Sequence, residues 1–129
     1  MSFTNNQGIS SITGFASAAI TRRRFVSFTA ANFVATQVAA TATVADGVAT
    51  EGQSTVGGAL EIQTDGIALV EAGAAVAAGV MVGSDTSGRA ILAATGVVAH
   101  GKALTAAAAA GEFIQVKLKT PNVGGPVIP

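Results

Sequence analysis

The chain has no cysteine, tryptophan or tyrosine, a single histidine, three prolines and only 11% charged residues in a length of 129. Each scarcity removes a class of explanation. Without cysteine there is no disulfide framework and no thiolate to bind zinc or act as a nucleophile. One histidine, His100, gives no set of imidazole ligands. Six phenylalanines are the only aromatic residues, and seven bases balance seven acids, which makes a poor stacking surface and argues against nucleic acid as a partner. The longest uncharged apolar run near the middle, Ala72–Gly83, falls well short of the roughly 20 residues of a spanning helix, so no membrane partner is expected.

The beginning of the chain lacks an early basic region before an apolar block, so it does not read as a secretory signal; its Ser/Thr-rich, acid-free start ahead of three arginines does mimic a transit peptide in composition. Free termini usually fray, and both ends are expected to be held by neighbouring subunits.

What is present is mostly small and apolar. Alanine supplies 28 residues and glycine 16, whereas Leu, Ile, Val and Phe together supply 34. That is enough for one domain with a modest core, in which many positions are only methyl groups. Small cores without disulfides or metals often rely on association, which is therefore the default expectation. The net charge is zero but the charges are sorted. Residues 1–45 hold Arg22, Arg23 and Arg24 and no acid, the next forty hold six acids and no base, and Lys102, Lys117 and Lys119 follow. Such sorting suits a charged partner or head-to-tail contacts between copies, and equally suits solvated charges beside a strand.

The elements read as short strands. Residues 1–24 lack a sustained period and are expected to form an extended arm anchored by Phe3, Ile9, Ile12 and Phe15. RRRFVSF (22–28) and the alternating QVAATATV (37–44) read as strands, followed by a loop over Asp46–Gly58. Leu60 and Ile62 alternate with Glu61 and Gln63 up to a break at Asp65-Gly66, and Ile67–Val70 is a short apolar run. EAGAAVAAG is alanine-rich, but two glycines six residues apart make it a loop with room for one helical turn. Val80–Val82 and Ala90–Leu92 flank a hairpin turn in which Asp85 caps and Gly88 takes positive φ. A strand is expected within Gly96–Leu104, and the clearest of all over Phe113–Lys119, with Ile114, Val116 and Leu118 on one face. The tail 120–129 is extended. The prediction is an all-β chain: a small β-barrel or sandwich core over 25–119 with extended N- and C-terminal arms.

No catalytic set emerges. His100 lies between Ala99 and Gly101 without an oriented partner, no G-x-S-x-G elbow exists, and GSDTSG lacks the lysine of a phosphate-binding loop. The acids between Asp46 and Asp85 lack calcium-loop spacing. No enzyme activity, cofactor or metal is therefore expected.

Asp65-Gly66-Ile67-Ala68, Ala72-Gly73-Ala74-Ala75-Val76-Ala77-Ala78-Gly79, and Ser84-Asp85 through Gly88-Arg89-Ala90 form one pattern with Gly101-Lys102-Ala103-Leu104, Ala109-Ala110-Gly111-Glu112 and Gln115-Val116-Lys117-Leu118. This pattern resembles the bacteriophage structural cement, or capsid decoration, proteins, although Val80 stands where members carry an acid and residues 1–60 lie outside it. The resemblance implies a β-tulip- or β-clip-like fold and homotrimers on the outer capsid surface of the virion. It also implies the major capsid protein as partner, with arms reaching between capsomers. A ligand spanning seams stabilises a closed shell because each later contact is intramolecular. On that view the interface candidates are Phe3, Phe15, Arg22, Arg23, Arg24, Phe25, Phe28, Lys117 and Lys119: arginines to pair with acidic loops, phenylalanines to fill pockets. The alternative is a self-assembling surface or fibre/adhesin β module unrelated to capsids. A small enzyme would need the acids and His100 to converge.

Overall fold

A computed structural model describes residues 10–118, and among these every regular element is a strand. Five strands close a barrel: β1 (Ser10–Ala16), β2 (Phe25–Ala30), β3 (Val34–Gln37), β4 (Gly47–Ala49) and β5 (Ala59–Asp65), in the order β1-β3-β2-β4-β5. β1 runs parallel to β3 and antiparallel to β5, which closes the ring. The other five build an open sheet in the order β6-β10-β9-β7-β8: β6 (Ile67–Glu71), β7 (Met81–Ser84), β8 (Ala90–Leu92), β9 (Gly101–Ala103) and β10 (Phe113–Leu118). The expected all-β architecture with a small barrel at its core is what the chain adopts.

Two hydrophobic cores follow from strand alternation. Val26 of β2 and Ala49 of β4 point into the barrel, where they meet Ala16, Ile20, Ala35, Leu60 and Ile62. Their neighbours Phe25 and Val48, paired across the two strands, point outwards and join Val70, Val82, Ile114, Val116 and Leu118 of the open sheet. The second sheet thus covers the β2–β4 wall of the barrel. Each fully buried Val, Ile or Phe contributes on the order of 1.5–3 kcal/mol relative to exposure.

The halves are also joined by polar bonds. The Phe25 N–H donates to the Gly88 carbonyl at 2.8 Å, and the Glu71 N–H to the Arg23 carbonyl at 3.0 Å. The Arg24 guanidinium pairs with Glu71 at 3.0 Å and donates to the Ser87 carbonyl at 2.9 Å. The β7–β8 turn that receives these bonds is built as its sequence suggests. Asp85 Oδ1 accepts from the Ser87 and Arg89 N–H groups, each at 2.8 Å, and Gly88 has φ of 78°.

Several local expectations need correction. The arm expected over residues 1–24 gives way at Ser10: residues 10–16 are a barrel strand, and the Ile20–Gln53 bridge continues the attachment. The β core therefore starts well before residue 25. β1 escaped notice because its buried positions are only Gly14 and Ala16, which leave no hydrophobic period. Glycine fits closely there, since a Cβ would lie 2.6 Å from Ile62 Cδ1 and 3.2 Å from Phe28 Cε1 and would make those side chains shift. The strand expected from residue 22 begins at Phe25, because Arg23 adopts φ of 61°. The strand expected over 37–44 is absent: β3 occupies Val34–Gln37, and the chain then leaves the sheet with only Val38 and Ala45 buried. Inside the expected 46–58 loop lies β4, whereas the strand expected within Gly96–Leu104 is present as Gly101–Ala103. EAGAAVAAG is a loop pinned by single bridges, Ala72 to Ala90 and Val76 to Ala107, with no helical turn. The outer parts of the expected arms, residues 1–9 and 119–129, lie outside the described residues.

Candidate interaction surface

The open sheet buries one face and exposes the other. Along β10, Ile114, Val116 and Leu118 are buried while Phe113, Gln115 and Lys117 face solvent. β6 pairs with β10 so that Leu69 stands opposite Gln115 and Ile67 opposite Lys117. On the other side Lys102 of β9 stands opposite Lys117, and the Leu104 N–H donates to the Gln115 carbonyl at 2.7 Å. The result is a flat face with Gln115 between Leu69 and Leu104, a row of Ile67, Lys117 and Lys102 at one end, and Phe113 at the other. Four of its large apolar side chains remain open: Leu69 is 37% exposed, Leu104 41%, Phe113 42% and Ile67 48%. The Arg22 guanidinium stacks over Phe113, 5.7 Å from the ring centroid, a cation–π contact that adds a third positive charge to the face.

The barrel wall away from this sheet has the opposite charge. Glu61 projects from β5 opposite Thr13 of β1, and Phe15, 41% exposed, stands opposite Ala59 two positions on. Thr50, the neighbour of Glu51, donates from its hydroxyl to Glu61 at 3.2 Å. Asp46, Glu51, Glu61 and Asp65 are all exposed. Among the described residues the two ion pairs are Arg24–Glu71 and Arg89–Asp85, so none of these four acids is neutralised, nor is Lys102 or Lys117.

The interface candidates disperse accordingly. Arg22 and Lys117 lie at opposite ends of the open-sheet face. Phe15 sits on the barrel wall. Phe28 is half buried at the barrel mouth, in an edge-to-face contact with Phe33 at 5.7 Å. Arg23 is held by its backbone, donating to the Ala49 carbonyl at 2.7 Å, with its Nε buried and without a hydrogen-bond partner. Arg24 is committed to Glu71 and Ser87. Phe25 is 1% exposed and cannot fill a partner's pocket; an aromatic side chain flanked by Val26 and Val48 is worth more in the core. Phe3 and Lys119 lie outside the described residues. Ile67, Leu69, Leu104 and Lys102 were not anticipated. One signal pointed to the first two: four consecutive apolar residues, Ile67–Val70, make both faces of a strand apolar, and only one can enter the core.

His100 has a structural setting. It is buried, stacks on Phe25 at a centroid distance of 5.0 Å, and its Nε2 accepts the Ala45 N–H at 2.8 Å. Nδ1 finds no partner of hydrogen-bonding geometry, and the Val98 backbone acts only as a weak polar neighbour. Burial lowers its pKa to about 4, against the opposing pull of Asp46 and that backbone. Its acceptor nitrogen is occupied, so the ring joins the 38–46 segment to the open sheet rather than serving as a base. Among the described residues, no three His, Cys, Asp or Glu side chains are grouped to hold a metal ion.

Comparison with known proteins found no matching family model and no matching curated protein. Among solved structures, the N base of the head fiber protein gp8.5 of bacteriophage phi29 is similar, with a TM-score of 0.69 at 18% identity. The match covers 86% of this chain and 94% of that one. The likeness is one of fold.

Proposed function

We propose that the chain is a non-enzymatic structural protein of a bacteriophage virion, which binds the outer capsid surface and clamps neighbouring capsomers. The observation that carries the reading is the fold likeness to a phage head fiber base, nearly end to end in both chains. The cement-protein pattern over residues 65–118 and the exposed, unpaired sheet face support it from independent directions. So does the meeting of the first and last described residues: Ser10 pairs with Asp65, and the Leu118 N–H donates to the Gly66 carbonyl at 2.9 Å, both at the pole around Asp65–Gly66. Contacts made from one pole to one partner raise the effective concentration of the second contact. In this reading Phe3 and Lys119 contact the major capsid protein, and the copies are arranged as trimers.

The test is co-sedimentation of the full chain with empty capsids of the phage that encodes it, alongside a chain lacking residues 2–9. Saturable pelleting of the first and weakened pelleting of the second, with unchanged circular dichroism, is the expected result. Equal pelleting of both removes the N-terminal segment from the clamp, and no pelleting of either removes the capsid. A second reading, a fibre module that does not clamp capsomers, is favoured by the same neighbour being the base of a fiber. Immunogold labelling separates the two: uniform decoration of the shell for a clamp, sparse attachment points for a fibre base.

A further inference from the structure

We infer that the exposed face of the open sheet is the docking surface for the barrel wall of a second copy of this chain, in a head-to-tail contact. The face carries Ile67, Leu69, Leu104 and Phe113 as open apolar area, with Lys102, Lys117 and the Phe113-stacked Arg22 as its charges. The barrel wall carries the complement, an exposed Phe15 beside Glu61 and Glu51. Internal pairing has already used Arg24 with Glu71 and Arg89 with Asp85. Outside those two pairs, the face carries Lys102, Lys117 and Arg22 with Glu112 beside Phe113 at its rim, and the barrel wall carries Glu51 and Glu61, so face and wall are complementary between two copies. Complementary potentials steer such encounters and fix their register, while the apolar centre supplies the burial.

The competing mode, edge-to-edge strand addition along β6, is left only the backbone groups of Leu69. Gln63 Nε2 donates to the Ile67 carbonyl at 2.9 Å and the Arg23 carbonyl takes the Glu71 N–H, so both ends of the outer edge of β6 are capped. Docking is therefore face to wall. Because the two surfaces differ, the contact is heterologous, and it closes into a ring or continues as a filament according to its rotation. The inference is independent of whether the partner of the assembly is a capsid.

The experiment uses the full chain and two charge-reversed forms: Lys102→Glu with Lys117→Glu on the face, and Glu51→Lys with Glu61→Lys on the wall. All four positions are exposed, and unchanged melting curves will certify the fold. Sedimentation velocity at low salt is expected to find the natural chain associated and each reversed form dissociated, with affinity lowered at least about tenfold. An equimolar mixture of the two reversed forms should regain mass, because each face then meets an opposite wall. A natural chain that is monomeric throughout, or reversed forms that associate as before, would overturn the inference. A monomeric chain whose reversed face loses binding to shells would also overturn it, and would hand the same face to a foreign acidic partner.

Discussion

The barrel and the open sheet use about the same number of strands to different ends. The barrel closes β5 on β1, so its strands have neighbours on both sides, and its small interior is filled by Ala, Val, Leu and Ile. The sheet stays open, with β6 and β8 as edges, and gives one whole face to the core shared with the barrel. Closure satisfies backbone groups without any partner. An open sheet leaves a second face that the described residues do not cover. The lesson is that, in a chain this poor in large side chains, closure completes the barrel while the open sheet keeps one face, with Ile67, Leu69, Leu104 and Phe113, in solvent.

The joint between the two halves is where the comparison breaks most sharply. Phe25→Ala should cost about 3–5 kcal/mol in urea unfolding, because the ring fills the seam and seats His100. Lowering the pH attacks the same seam. The folded pKa of His100, about 4, is depressed from 6.5, so between those values the unfolded chain binds the extra proton. Its contribution is fully present above about pH 6.5 and is lost as pH falls to about 4, a decrease of roughly 3 kcal/mol at most. A chain carrying His100→Gln should show a flatter acid limb, and hydrogen exchange should find Ala45 opening early in the natural chain. A slope that is the same in both would remove His100 from the joint.

Smaller effects sharpen the contrast. Glu71→Ala leaves the half-buried Arg24 guanidinium with only Ser87, at an expected loss of about 1–3 kcal/mol by the same unfolding measurement. Asp85→Ala frees the Ser87 and Arg89 N–H groups of the turn and should cost about 1 kcal/mol. Lys117→Ala on the open face should move the midpoint by less than about 0.5 kcal/mol, since an exposed charge there has no internal partner. A large loss at Lys117 would mean the face belongs to the fold rather than to a partner.

The second half of the chain was the legible half. β5, β6, the Asp85–Gly88 turn and β10 each carry alternation or turn chemistry that is local, and each formed where expected. The barrel was harder because its interior offers methyl groups and bare glycine where a hydrophobic period would normally show. β1 pairs with β3 and β5, far along the chain, and no local pattern marks such pairing. Phe25 illustrates the limit for the site. Next to three arginines it reads as a surface aromatic residue, yet the φ of Arg23 turns the chain so that Phe25 enters the seam. Conversely, Leu69 and Phe113 share a face only because β6 pairs with β10 across more than forty residues.

The most direct test of the functional account is the binding isotherm of the full chain on empty capsids of its own phage, followed by co-sedimentation over a concentration series. The account predicts saturation at a fixed number of copies per shell, with weaker binding for the chain lacking residues 2–9. Linear, unsaturable pelleting at the level of an unrelated protein would contradict it.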